Sequence, residues 1–203
     1  MERLIIIGAG GHGKVVADIA EKIGKYSEIA FLDDGAVKDC IGYAVIGKTS
    51  EASRYVSDFE FFVAIGKSEI RKKVIEELLA CKAVIATLIH PNAVIGKCVS
   101  IGRGTVVMAG AVINPAVVIG DGCIINTSSS VDHDSRIGNF VHISVGTHIA
   151  GTVEVGDNTF IGAGAVTKNN VSICADCMIG AGAVVVKDIS EKGTYVGVPA
   201  RKR

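Results

Sequence analysis

Three places in the 203-residue sequence carry residue types and spacings that suit chemistry. The first is Gly8-x-Gly10-x-x-Gly13, inside "LIIIGAGGHGKVVADIA" at 4–20. This G-x-G-x-x-G spacing suits a turn that presents backbone N–H groups to a phosphate at a helix N-terminus. The second is Asp132-His133-Asp134, in "VDHDSR". A carboxylate bonded to an imidazole fixes its tautomer and raises its basicity, as a general base requires. Asp is short, so the sequence leaves open which of Asp132 and Asp134 reaches the ring. The third is Cys174-x-x-Cys177. No second pair or His partner accompanies it, so no metal site is expected.

The elements around these residues fall into two halves. Residues 3–7 form an apolar run ending at Gly8, and 12–23 have helical spacing with Val15, Val16, Ile19 and Ile23 on one side. Residues 29–32 are a second strand, closed by Asp33-Asp34-Gly35, and "FEFFVAIG" (59–66) is a third. Ser68 is placed to cap a helix whose apolar face is Ile70, Val74, Ile75, Leu78 and Leu79. This order predicts a small parallel sheet flanked by helices, a Rossmann-like α/β domain over 1–86.

From Ile89 to Val185 the period becomes six. Every sixth residue is Ile or Val, except Thr167, and the fourth residue after each is small or β-branched. Such a repeat outranks any local motif. It predicts an all-β domain over 87–203, a parallel β-helix of hexapeptide repeats in which three short faces close a coil. Gly commonly follows the aliphatic and is expected to relieve the corner. Cys123 and Cys177 fall on small inward positions and read as core filler.

Composition removes other classes. There are 21 basic and 21 acidic residues, which gives no electrostatic case for nucleic acid or an anionic membrane. No apolar run is long enough to span a bilayer and no cleavable leader is evident, so a cytoplasmic protein is expected.

The segments "GAGGHG", "FLDD", "FFVAIGKSEIRKK", "NTSSSVDHDSRIG" and "GVPA" occur in an order that resembles the NeuD/PglD-type sugar acetyltransferases of the hexapeptide acyltransferase superfamily. The resemblance covers the whole chain and implies that the β-helix is left-handed. It implies acetyl-CoA as co-substrate, no metal, and a homotrimer with sites shared between subunits. Gly10, Gly11 and His12 would line the diphosphate and sugar of a nucleotide-linked amino sugar. Asp33 and Asp34 would hold the nucleoside, Gly66 and Glu69 would complete the pocket, and Asn126 would contact substrate. His133 would be the catalytic base, supported by Asp134. His142 would meet the acetyl end of the cofactor, and Gly151, Ala163 and Ala181 would lie along its pantetheine arm.

The activity so implied is N-acetylation of a UDP-linked 4-amino-4,6-dideoxy sugar by direct attack on the thioester. The alternatives are O-acetylation of a sialic-acid-type sugar and N-acetylation of a GDP- or dTDP-linked sugar. An NAD(P)-dependent oxidoreductase rests on the glycine spacing alone, and only about half of a dinucleotide fold precedes the repeats. A non-catalytic β-helix scaffold would not need the His–Asp pair.

Overall fold

The computed structural model describes residues 2–36 and 38–203. The chain divides into two compact units, one ending at Pro91 and the other beginning at Asn92.

In the first unit, β1 (Glu2–Ile7), α1 (Gly11–Ile23) and β2 (Tyr26–Leu32) follow in order. An edge hairpin of β3 (Asp39–Cys40) and β4 (Tyr43–Gly47) precedes a 3₁₀ turn over Thr49–Tyr55. Then come β5 (Glu60–Val63), α2 (Ser68–Ala80) and β6 (Val84–Ile85). The sheet order is β3-β4-β2-β1-β5-β6, and the pairs are parallel except β3 with β4. Leu4 to Ile7 of β1 lie at the centre, at most 1% exposed. That burial on both faces explains the unbroken aliphatic run.

Helix α1 ends where Gly24 adopts φ 69° and its N–H donates to Glu21 O. Helix α2 departs from its expected pattern. Lys67, not Ser68, stands at its cap, and no side chain bonds there. Its buried residues are Arg71, Val74, Ile75 and Leu78, while Ile70 is 46% exposed. Positions i, i+3, i+4 and i+7 share one helix face, so Arg71 lies within the face that Val74, Ile75 and Leu78 define and Ile70 falls at its margin. An arginine thereby occupies the interior.

In the second unit the strands are short and parallel, each pairing with the strand eighteen residues on, as Ser130 with His148 and Arg136 with Glu154. Three sheets result. The first face carries Ile124–Ile125, His142–Ile143 and Phe160–Ile161. The second carries Ser130–Val131, His148–Ile149 and Val166–Thr167, and the third Arg136–Ile137 and Glu154–Val155. The second residue of each of these pairs points inward. Ile125, Val131, Ile137, Ile143, Ile149, Val155 and Ile161 are at most 3% exposed. Ile95, in the first coil of the unit, is 37% exposed because no earlier coil of its unit stacks on it.

The small inward positions include buried hydroxyls. Thr105 Oγ1 donates to Gly120 O (2.8 Å) and accepts Cys123 N–H (2.9 Å). Ser135 Oγ donates to Ala150 O (3.1 Å) and accepts Val153 N–H (3.1 Å). Each hydroxyl is satisfied by the next coil, which is why polar residues suit this core.

The glycine after the aliphatic does not serve through its dihedral angles. At Gly156 a Cβ would lie 2.4 Å from Ala175 N, and at Gly120 it would lie 2.8 Å from Asn139 N. These positions are glycine because the next coil's backbone passes there. The left-handed turn conformation falls elsewhere, at Ala116, Asp134, Thr152 and Asn170, with φ from 56° to 63°. Gly156→Ala is therefore expected to destabilise the protein by about 1–3 kcal/mol, the usual cost of overpacking. Urea unfolding checks it, and an unchanged midpoint would mean that the coils can move apart.

Candidate functional site

In the α/β unit, β2 and β5 lie on either side of β1, so the chain reverses its direction of winding there. Ligands of open α/β sheets bind at such a point, outside the carboxyl ends of the strands. Gly10, Gly11 and His12 follow β1, Asp33 and Asp34 follow β2, and Gly66 and Glu69 follow β5. The sheet thus brings all seven of these residues to one edge.

The glycines there have different grounds. Gly8 has φ 102°, and a Cβ on Gly13 would lie 2.0 Å from Gly8 O. Both are fixed by the fold. Gly10, Gly11 and Gly66 lie outside the left-handed region, and nothing lies within 4 Å of where a Cβ would stand. The fold makes no demand for glycine at these three, and the backbone there is open to close approach.

Asp33 braces the glycine turn. Its Oδ2 accepts Ala9 N–H and its Oδ1 accepts Gly35 N–H, both at 2.8 Å. Asp34 Oδ1 accepts Thr49 N–H at 3.0 Å. An ionised carboxylate has further lone pairs for a ligand. His12 Nε2 is buried and meets no partner among the described residues. Burial, and after it the Arg71 charge, pushes its pKa down to about 4, so the ring is neutral at pH 7. Arg71 went unnoticed in the sequence because its position reads as the polar neighbour of an aliphatic stripe.

In the β-helix, His133 and Asp134 occupy the turn between the second and third faces. Asp134 has φ 59°, and the turn sets its Oδ2 2.8 Å from His133 Nδ1. This settles which carboxylate reaches the ring. Asp132 is engaged otherwise: its Oδ1 accepts His133 N–H (2.8 Å) and Asn114 Nδ2–H (2.7 Å) from the preceding coil. The bond to Asp134, and after it the charge of Asp132, holds the His133 pKa above its ordinary value.

Gly151 lies directly beneath the ring. A Cβ on it would stand 2.7 Å from His133 Nε2 and 2.8 Å from Cε1. The two turns are tied by Thr152 N–H to His133 O (2.9 Å) and by the Ser135 bonds already described. Backbone movement is thus a poor escape for a side chain at 151.

The remaining residues lie elsewhere on the coil. Asn126 Nδ2 and His142 Nε2 are 3.1 Å apart, and the His142 ring meets Phe160 edge-on at 4.9 Å. Ala163 and Ala181 are exposed, stacked one coil apart at the turn between the first and second faces. Gly151 stands at the next turn, so a single chain does not gather Gly151 with Ala163 and Ala181. Cys174 and Cys177 carry free thiols with Sγ atoms 3.5 Å apart. Among the described residues no group of three or more His, Cys, Asp or Glu could hold a metal ion. No described helix is long and apolar enough to cross a membrane.

Fold and site together define an α/β domain followed by a parallel β-helix of hexapeptide repeats. Residues 3–78 match the PglD N-terminal domain, and residues 134–169 and 152–187 match the bacterial transferase hexapeptide (six repeats). The acetyltransferase domain of PglB from Neisseria gonorrhoeae FA1090, solved with acetyl coenzyme A, is 40% identical with a TM-score of 0.96, over 100% of this chain and 99% of that one. PerB from Caulobacter crescentus, solved with CoA and GDP-perosamine, is 36% identical with a TM-score of 0.94, over 100% and 98%. UDP-N-acetylbacillosamine N-acetyltransferase of Bacillus subtilis (strain 168) is 37% identical over 114 residues, 54% of this chain and 52% of that protein. The chain thus spans about half the length of that curated relative. It belongs to the PglD-type family of hexapeptide-repeat acetyltransferases.

Two consequences of the site geometry are testable without substrate. Gly11→Ala is expected to leave stability unchanged or raise it by about 0.5–1 kcal/mol, since Gly11 opens α1 with free space around it. Gly13→Ala in the same turn is expected to destabilise strongly. Thermal melts of the two variants check the contrast. Gly151→Ala should displace the imidazole from Asp134, so the His133 pKa, followed by NMR, should fall toward its ordinary value while the coil stays folded.

Proposed function

We propose that this chain transfers the acetyl group of acetyl-CoA to the amino group of a UDP-linked 4-amino-4,6-dideoxy sugar. The observation that carries the proposal is the His133–Asp134 pair seated over Gly151. In the proposed reaction Asp134 holds the proton on Nδ1, which leaves Nε2 as the basic atom. His133 Nε2 takes the proton that the amine loses as nitrogen bonds to the thioester carbon, then returns it to the departing sulfur. The imidazole ends as it began, and CoA leaves as the thiol. No covalent enzyme intermediate is needed.

The nucleotide would lie on the α/β unit, its diphosphate against Gly10, Gly11 and His12 and its nucleoside near Asp33 and Asp34, with Gly66, Glu69 and Asn126 completing the substrate contacts. The relatives' names support a nucleotide-linked amino sugar, and the GDP-perosamine bound to PerB makes a GDP-linked sugar the second reading. The working assembly is a homotrimer. In that assembly the pantetheine arm would lie between two chains, with Gly151 from one turn and Ala163 and Ala181 from another. His142 would then meet the acetyl end. The six free thiols suit a reducing compartment such as the cytoplasm.

Thiol release from acetyl-CoA against a panel of UDP-, GDP- and dTDP-linked amino sugars tests the reaction. His133→Ala is expected to lower turnover by roughly two to four orders of magnitude with the trimer intact. Turnover within threefold of the unaltered protein would remove His133 from the mechanism. The base must be unprotonated, so the rate rises with pH through the His133 pKa. That pKa is held up chiefly by Asp134. Asp134→Asn should therefore move the acid limb of the kcat/KM profile to lower pH and reduce its plateau by about tenfold or more. An unmoved limb would assign it to another group.

A further inference from the structure

Arg71 is fully buried, although arginine is almost never so placed unless its donors are met. It reaches back from the first turn of α2 to the loop after β5. There its Nη1 donates to two successive carbonyls, Ile65 O at 2.7 Å and Gly66 O at 2.8 Å. In a trans peptide the C=O and the following N–H point in opposite directions. Carbonyls drawn inward onto the guanidinium therefore turn the N–H groups of Gly66 and Lys67 outward. Neither N–H donates to any described residue. Gly66 is exposed, with nothing within 4 Å of a Cβ position. The loop lies at the sheet edge that also carries the Gly10–Gly11 turn, beside the β1–β5 pair.

We propose that Arg71 is a positioning residue for the diphosphate of the nucleotide-linked sugar: it holds the 65–67 turn with two N–H donors facing the ligand and sets a buried positive charge behind them. The inference rests on the nucleotide-sugar reading of the α/β unit. A charge in a poorly polarisable interior acts on a bound anion more strongly than one in water. His12, in the neighbouring turn, already feels this charge, which adds to burial in keeping its ring neutral. Arg71 touches no ligand atom in this scheme. It selects for phosphate through the peptide groups it orients.

The test compares UDP, GDP and the corresponding nucleosides by calorimetry on the full chain and on Arg71→Lys and Arg71→Met. Arg71→Met is expected to weaken the diphosphate at least roughly tenfold, the order of a lost charge-assisted contact, while the nucleoside changes less than about twofold. Arg71→Lys should recover part of the loss. In turnover assays Arg71→Met should raise the KM for nucleotide-sugar with little change in kcat. Equal weakening of diphosphate and nucleoside would mean a structural role only and would overturn the proposal, as would unchanged diphosphate binding. If the unaltered chain binds none of the nucleotides, the nucleotide-sugar reading itself is wrong. Should Arg71→Met not fold, the unaltered chain still decides by NMR. Addition of UDP or GDP should shift the Gly66 and Lys67 amide signals, and silence there while Gly10 and Gly11 respond would overturn the proposal.

Discussion

The close passage of one coil's backbone over the next is the constraint on which the β-helix depends. Strands paired in parallel lie about 4.8 Å apart, so each coil has one strand's width of space above it. At Gly120, Gly156 and Gly162 that space is already filled by the following coil's backbone. A side chain at these points would push whole coils apart and break the ladder bonds, such as Gly156 N–H to Ile173 O, that close the stack. The six-residue phase follows. An insertion would move the aliphatic off its column and bring a Cβ over a backbone. The same geometry seats the imidazole, because Gly151 stands one coil beyond His133 and leaves its place open.

The α/β unit uses a different device at its own edge. Its residues come together because three neighbouring parallel strands end on one side. The loops there are held by polar groups rather than by packing. Asp33 draws in the Ala9 and Gly35 N–H groups, and Arg71 draws in the Ile65 and Gly66 carbonyls. A carboxylate and a guanidinium therefore shape adjoining loops from opposite directions, one by accepting and the other by donating. Both leave glycines exposed at the edge with no packing reason to be glycine.

Much of this was legible in the sequence, for reasons that differ by element. The coil was legible because a repeat is read from many residues at once, and chance agreement at one position hardly matters. The parallel sheet was legible because its strands are buried on both faces and so appear as plain aliphatic runs. The hairpin of β3 and β4 was not, since it pairs only two residues per strand and Val45 and Ile46 lie in a mixed, half-exposed segment. Arg71 was hidden because helical periodicity counts apolar residues, and Ile70 beside it satisfied the count while facing solvent. The atoms nearest to a Cβ on Gly151 belong to the His133 ring. Its column was readable from the eighteen-residue spacing; the 2.7 Å approach was not.

The division of labour between Asp132 and Asp134 is not determined by residue type. The two carboxylates have the same chain length and flank the same histidine. What separates them is the backbone. Asp134 stands in the left-handed conformation that the coil imposes at this turn, shared with Ala116, Thr152 and Asn170 in the same column. That conformation swings its carboxylate onto Nδ1. Asp132 precedes the turn and aims along the stack, where Asn114 meets it from the coil before. The pairing with Asn114 matters for the imidazole. It gives Asp132 a partner other than the imidazole, so its charge supports the ring at a distance while Asp134 alone fixes the tautomer. The repeat therefore supplies the room under the ring, the backbone conformation that chooses its partner, and the neighbouring side chain that keeps the second carboxylate away.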